Sequence, residues 1–166
     1  KATQEVIDRI DKALGGKDVD DVLLAMVRKE FRQKHGLDFS TTSHPAEWFA
    51  IRDKVIQIDH ALSACTEAKL CDRVDGKSVT LAITREALNS AIQPLMTRVE
   101  QVIAEAVQQA KVNQKEIEHV LLVGGSSRLH AFQETVQRLF GSERILGSQT
   151  SPDLAIAEGA AILAAK

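Results

Sequence analysis

The chain has 166 residues and a formal charge of −2 at pH 7, with 21 lysines and arginines against 23 aspartates and glutamates. These charges balance along the whole length, which argues against nucleic-acid binding, because nucleic-acid-binding proteins concentrate basic residues on one surface. No apolar run approaches the roughly eighteen residues of a membrane span and no signal peptide opens the chain, so we expect a cytoplasmic protein without membrane contact.

Helical patterns dominate the first third of the sequence. Residues 1–14 carry helix-spaced apolar positions. A second set at i, i+3 and i+4 spacing, with Asp18 as the cap and Gly36 as the stop, predicts an amphipathic helix. After a polar loop, a further apolar stripe predicts a helix from about Pro45 to Leu62.

A β-hairpin is predicted next. Glu67–Arg73 and Lys77–Ile83 have strand character, and Asp75-Gly76 between them is a strong hairpin-turn sequence. Cys65 and Cys71, six residues apart in one predicted strand, would lie about 20 Å apart, too far for a disulfide. Their even spacing places both on one face, so we expect two reduced thiols in the core.

A long helix should follow over residues 84–110, where apolar positions step by threes and fours. Pro94 removes one backbone hydrogen bond there, which predicts a kink or a restart. Strands alternating with helices indicate an α/β class with a parallel component. The remaining predicted elements are a short helix over 114–118, a buried strand over 119–123, a helix over 128–140 and a final helix from Pro152.

The most informative stretch is the strand His119–Val123, which runs directly into Gly124-Gly125-Ser126-Ser127-Arg128. A β-branched run, two glycines and a helix start direct backbone N–H groups at an anion, as in phosphate sites. Any α/β crossover favours glycine at such a turn, so a purely structural turn is an equal alternative from the pattern alone. The G-x-G-x-x-G spacing of dinucleotide-binding crossovers is absent.

The surrounding residues resemble the nucleotide-binding domain of the seventy-kilodalton heat-shock chaperones. Val120–Leu129 (VLLVGGSSRL) is similar to that family's VLVGGSTRIP, and residues 151–161 (SPDLAIAEGAA) are similar to NPDEAVAxGAA. Upstream and in the same order, Gly15–Asp20 resembles GGEDFD, Leu62-Ser63 resembles a helix ending in LS, and Ile83–Glu86 resembles ITRxxFE. The DxGT-type and GGGT-type phosphate loops are absent.

This resemblance implies an α/β fragment of an actin-like ATPase domain, most of its second lobe, with helices packed on a mixed sheet and a β-hairpin. It divides the chain into a small α+β subdomain over 16–111 and a C-terminal part of the actin-like core over 112–166. Residues 1–15 form an uncertain N-terminal segment, because the family has strand residues where this sequence has a helical pattern.

In the family, ATP binds between two lobes. The resemblance implies that Gly124, Gly125 and Ser126 lie beside the α-phosphate and ribose and that Arg128 lies along the adenine plane. The residue types suit these roles, because glycine lets a backbone approach closely and a guanidinium stacks on a π face.

Three further residues join the implied nucleotide-binding set. Gly16 would lie near the phosphates, Ser63 near the adenine edge and Asp153 at the rim behind the phosphate loop. Asp153 has an alternative of equal weight as a helix N-terminal carboxylate that offsets the macrodipole.

The helix before Ser63 departs from the family. There the family has Glu-x-x-Lys-Arg-x-x-Leu-Ser, whose three charged residues clasp adenosine from one helical face. The matching positions here are Ile56, Asp59 and His60. Each lost hydrogen bond to a polar or charged ligand costs about 1.5–3 kcal/mol, which is tenfold or more in affinity.

The resemblance therefore implies a fragment of an ATP-dependent molecular chaperone that supplies adenine nucleotide contacts and an exchange-factor docking surface. ATP or ADP with Mg²⁺ would be the cofactors of the longer protein, with co-chaperones as partners and client polypeptides bound by a domain outside this chain. The alternative is a divergent lobe that binds nucleotide poorly and serves as a protein-interaction module. No catalytic residue or metal ligand is identified, so we expect this chain alone to be inactive.

Overall fold

The computed structural model describes residues 15–36, 38–74, 76–146 and 154–165. The predicted helix over 1–14 and the start of the predicted final helix, with Pro152 and Asp153, lie outside these ranges. The chain divides into two compact units, Gly15–Leu95 and a second unit containing the described residues from Met96 onward. Each unit is described by itself.

Two long helices open the Gly15–Leu95 unit, in agreement with the apolar spacing. Helix α1 spans Gly16–His35 and helix α2 spans Pro45–Ala64. The Asp18 carboxylate accepts a hydrogen bond from the Gly15 N–H at 2.7 Å, which caps α1. The helix ends at Gly36, whose φ of +65° is favourable for glycine. The proline at the first position of α2 costs no hydrogen bond.

The predicted hairpin is present. Strands β1 (Glu67–Val74) and β2 (Lys77–Thr84) pair antiparallel with Leu70 opposite Leu81. Leu70 and Val74 of β1 are buried, as are alternate residues of β2, so one face of the hairpin belongs to the core. The helices α1 and α2 contribute the other half of this core: Val19, Leu23, Leu24, Val27, Phe31, Ile51, Val55, Ile58 and Leu62.

The predicted restart near Pro94 is also present. Helix α3 (Arg85–Ala91) ends at Ile92, and helix α4 (Gln93–Ala110) begins with the proline in its first turn, where a missing N–H costs little. The Thr84 hydroxyl accepts the N–H of Ala87 at 3.1 Å and caps α3. Among the described helices, none combines the length and apolar character needed to cross a membrane.

Among its described elements, the second unit contains helix α4 from Met96 onward, a small parallel sheet and two further helices. Strand β3 (Val120–Leu121) pairs with strand β4 (Ile145–Leu146), which gives the predicted parallel component. Between them, a 3₁₀ helix over Gly125–Arg128 precedes α5 (His130–Phe140). Two further 3₁₀ helices, Gln114–Glu116 and Ser142–Arg144, and helix α6 complete the described elements; α6 spans Ala155–Ala164.

Two details of this unit differ from the sequence prediction. The predicted strand over 119–123 is two residues long and is not buried: Leu121 is 48% and Val123 43% exposed. Among the described residues, β3 pairs only with the equally short β4. The helix predicted from Arg128 begins at His130, after the 3₁₀ turn.

The prediction of buried thiols was wrong, although both cysteines are free as expected. Cys65 lies at the C-terminal cap of α2 rather than in a strand. Cys71 lies in β1 but on its exposed face, because the adjacent Leu70 occupies the buried face. The Thr80 hydroxyl lies 3.8 Å from the Cys71 sulfur across the hairpin.

We expect Phe31→Ala to lower the free energy of unfolding by about 3–5 kcal/mol. Phe31 is fully buried and packs edge-on against Phe39, with ring centroids 5.3 Å apart. The matched control Phe49→Ala removes a ring that is 57% exposed and should change stability by less than about 1 kcal/mol. Urea unfolding followed by circular dichroism measures both; equal losses would show that the core is misassigned.

Candidate functional site

The glycine turn after β3 is both fixed and open. Gly124 has φ +82° and ψ +159°, a conformation that strains any residue with a side chain. Its carbonyl accepts two hydrogen bonds from Ser127, one from the N–H at 3.1 Å and one from the hydroxyl at 2.7 Å. A Cβ placed on Gly124 or on Gly125 would meet no atom within 4 Å. The backbone of this turn is therefore accessible to a ligand.

The donors of this turn point to polar or anionic ligands. Within the described parts of the chain, the N–H groups of Gly125 and Ser126 donate to no acceptor. The Ser126 and Arg128 side chains are exposed on the same 3₁₀ turn. Two N–H groups, a hydroxyl and a guanidinium on one short segment suit a phosphate or a ribose.

Ser127 is the residue that the sequence prediction missed at this turn. It is 4% exposed, and besides bonding Gly124 it accepts a hydrogen bond from the Gln133 side chain at 3.1 Å through its own carbonyl. The sequence did contain a signal for this role. A serine three residues after a turn residue can close the turn by donating its hydroxyl to that residue's carbonyl.

Gly16 occupies the first position of α1. The cap formed with Asp18 satisfies the N–H of Gly15, whereas the N–H groups of Gly16 and Lys17 donate to no acceptor in the described segments. The Lys17 ammonium pairs with Asp21 at 2.7 Å. The first turn of this 20-residue helix therefore presents backbone donors at its positive end.

Ser63 lies in the last turn of α2 and is held by an arginine. Its hydroxyl donates to the Asp59 carbonyl at 3.4 Å. The Arg85 guanidinium donates to the carbonyl of Leu62 at 2.8 Å and to that of Ser63 at 3.5 Å. Arg85, quoted only as part of the Ile83–Glu86 match, thus fixes the helix end that carries Ser63.

The three positions that depart from the family share α2 but differ in environment. Ile56 is half-buried and His60 is exposed, whereas Asp59 is 7% exposed. One carboxylate oxygen of Asp59 is buried and accepts no hydrogen bond from the described residues. Burial, followed by the nearby Asp20 carboxylate of α1, raises the pKa of Asp59 from 3.8 to about 6, with His60 acting in the opposite direction.

This charge pattern has a chemical consequence. Burial also raises the pKa of Asp20, the α1 acid whose charge contributes to the raised pKa of Asp59 on α2. An ionised carboxylate accepts hydrogen bonds but donates none. Ile56, Asp59 and His60 therefore differ in chemistry from the glutamate, lysine and arginine of the clasp that the family resemblance implies.

The predicted site residues fall into two groups. Gly124, Gly125, Ser126 and Arg128 come together on one turn of the second unit. Gly16 and Ser63 belong to the Gly15–Leu95 unit, and Asp153 lies outside the described residues.

Comparisons with known proteins identify the class. The sequence pattern of the Hsp70 protein family matches residues 5–165. The chain therefore belongs to the Hsp70 family, and its fold is an α/β fragment of the actin-like ATPase domain of that family, as predicted.

Individual relatives agree with this assignment. The chain is 31% identical to a mitochondrial heat shock protein of Saccharomyces cerevisiae, over 93% of this chain and 24% of the relative. It is 32% identical to a chaperone protein HscA homolog of Burkholderia thailandensis, over 93% and 24%. It is 29% identical to a heat shock protein homolog of Naumovozyma castellii, over 93% and 22%. The chain thus spans about a quarter of the length of these relatives.

We expect Asp59→Asn to stabilise the chain at high pH only. The folded chain holds the Asp59 proton more tightly than the unfolded chain, so stability is lost as pH rises from about 4 through 6. The variant lacks this loss, so at pH 8 its free energy of unfolding should be higher by about 1–3 kcal/mol. Below pH 4 the difference should disappear.

Urea unfolding at pH 4, 6 and 8 tests this expectation. The control Asp53→Asn changes an exposed acid on the same helix and, as a surface substitution, should change stability by less than about 0.5 kcal/mol. A gain that is constant with pH would show that the Asp59 carboxylate is not responsible.

Proposed function

We propose that this chain is part of the nucleotide-binding domain of an ATP-dependent molecular chaperone, to which it supplies adenine nucleotide contacts and an exchange-factor docking surface. The glycine turn carries this proposal. Gly124 and Gly125 leave the backbone open, Ser127 holds the turn in place, and the N–H groups of Gly125 and Ser126 donate to no acceptor in the described part of the chain. Membership of the Hsp70 family supports the same assignment.

We propose that seven residues contact the nucleotide: Gly124, Gly125, Ser126, Arg128, Gly16, Ser63 and Asp153. ATP or ADP would be the ligand, and Mg²⁺ would be held by residues outside this chain. Co-chaperones and a nucleotide-exchange factor would be the protein partners, and clients would bind a separate domain. We propose a cytoplasmic location.

A second candidate function rests on Asp59. The buried Asp59, whose pKa the Asp20 charge helps to raise, stands where the family places a lysine of the adenosine clasp, and this opposes tight nucleotide binding. A lobe of this kind would serve mainly as a protein-interaction module. Nucleotide affinity therefore distinguishes the two candidates.

We expect ADP to bind with a Kd no better than about 1 mM, because the clasp is replaced and the opposite lobe is absent. The triple change Ile56→Glu, Asp59→Lys and His60→Arg should tighten binding at least about tenfold by restoring two or more charged hydrogen bonds. Calorimetric titration of ADP into both proteins measures the difference.

A matched control introduces the same charges elsewhere on α2. Ala46→Glu, Phe49→Lys and Ala50→Arg have the same i, i+3, i+4 spacing on exposed positions and should leave the affinity unchanged. Micromolar binding by the natural chain would contradict the clasp assignment, as would a triple variant that melts normally yet binds no better. Equal tightening by the control would show a general charge effect.

We expect no ATP hydrolysis above buffer by the isolated chain, because it contains neither the Asp- and Thr-bearing phosphate loop nor a magnesium ligand set. Phosphate release from ATP and Mg²⁺ is the measurement. Release that scales with protein concentration and disappears in Arg128→Ala would show that the chemistry has been misplaced.

A further inference from the structure

The alternation of hydrogen-bonded residues along the hairpin identifies which backbone groups of β1 point away from β2. The Arg85 N–H donates to the Thr66 carbonyl at 2.9 Å and extends the ladder one step beyond the pair Glu67 and Thr84. In an antiparallel pair, hydrogen-bonded and non-hydrogen-bonded positions alternate. The even-numbered residues of β1 therefore bond to β2, and the odd-numbered residues direct their N–H and C=O groups to the outer edge.

A contact from α2 agrees with this parity. The Lys54 ammonium donates to the Cys71 carbonyl at 2.8 Å, so that carbonyl faces away from β2. At residues 71–73, side chains therefore satisfy backbone groups on the outer edge of β1. Lys54 also pairs with Asp72 at 3.0 Å, and the Asp72 carboxylate accepts the N–H of Arg73 at 2.7 Å.

The outer edge of β1 is open over residues 67–71. The outward N–H and C=O groups of Glu67 and Lys69, and the N–H of Cys71, make no hydrogen bond within the described residues. A row of unpaired groups of this kind is a template for another strand.

Helix α2 turns this open edge into a groove of about 470 Å³. Residues 67–71 of β1 form one wall, and Gln57, Ile58 and Ala61 of α2 form the other side. A groove between a strand edge and a helix is the arrangement in which extended peptides add a strand to a sheet, with main-chain hydrogen bonds for affinity and alternate side chains for specificity.

We propose that this groove binds an extended polypeptide segment that pairs with residues 67–71 of β1 as a third strand. Alternate side chains of the segment would face Ile58 and Ala61, which favours small apolar residues there. The intervening side chains would share the exposed face of Glu67 and Lys69. Lys69 forms no ion pair among the described residues, so an acidic residue opposite it is favoured, whereas a neutral residue is favoured beside Glu67. The inference goes beyond the docking surface proposed above and does not require nucleotide.

The test uses the full 166-residue chain and a fluorescein-labelled peptide, Thr-Val-Glu-Val-Thr, with blocked ends. A control peptide has the same sequence with N-methyl groups on alternate residues. The methyl groups leave the side chains unchanged and remove the N–H donors of those residues. Fluorescence polarisation should show saturable binding of the first peptide and at least about tenfold weaker binding of the second. Equal affinities, or no saturable binding up to millimolar protein, would overturn the proposal.

Two variants locate the binding. Gln57→Trp fills the groove from an exposed position on α2, and Gln33→Trp places the same ring at an exposed position on α1. We expect only Gln57→Trp to weaken peptide binding, by about tenfold or more, with both variants melting like the natural chain. Equal effects of the two variants would overturn the assignment.

A second copy of this chain is the competing occupant, because two open edges can pair with each other. Sedimentation equilibrium should show that the chain remains monomeric at the concentrations used for peptide binding. A dimer that dissociates in Gln57→Trp would show that the edge pairs with itself and would overturn the peptide proposal. Failure of the peptide to bind leaves the exchange-factor role separately testable with that factor.

Discussion

The alternation of side chains along the hairpin constrains the Gly15–Leu95 unit. Leu70 and Val74 of β1 and their partners in β2 all lie on one face, so the covering helices must pack on that face. Helix α2 lies against β1, and a hydrogen bond to its last turn comes from Arg85, the residue that follows β2. The same packing buries Asp59 and places α2 beside the open edge of β1. The burial of Asp59 and the groove beside β1 therefore both result from the packing of α2 on the hairpin.

Much of this fold is predictable because its signals are local. Gly36, Pro45, the Asp75-Gly76 turn and Pro94 mark the ends of helices and strands, and apolar spacing identifies their buried faces. The cysteines show the limit of this reasoning. Even spacing indicates a shared face only within one strand, and Cys65 belongs to a helix end. Within β1, the alternation of Ala68, Leu70 and Val74 with polar residues marks the covered face, and Cys71 belongs to the opposite face.

The candidate site depends more strongly on tertiary contacts. The glycine turn was predictable because Gly124 and Gly125 carry their conformational preference in the sequence. Asp59 was recognised as an unexpected acid, but its burial and its proximity to Asp20 depend on how α1 packs against α2. Arg85 and Ser127 were missed as supports, because a residue that holds a helix end or a turn through backbone carbonyls leaves no motif of its own. Such contacts arise only when distant parts of the chain fold together.

Trp48 provides an intrinsic spectroscopic signal for one part of the molecule. It is the sole tryptophan of the sequence, which has no tyrosine. Its ring lies 6.0 Å from that of Phe39 and 5.3 Å from the Arg28 guanidinium, all within the Gly15–Leu95 unit. Fluorescence therefore reports this unit, whereas far-ultraviolet circular dichroism reports helices throughout the chain. Coincident transitions in the two signals would indicate a single cooperative unit, and separated transitions would indicate that the two units unfold independently.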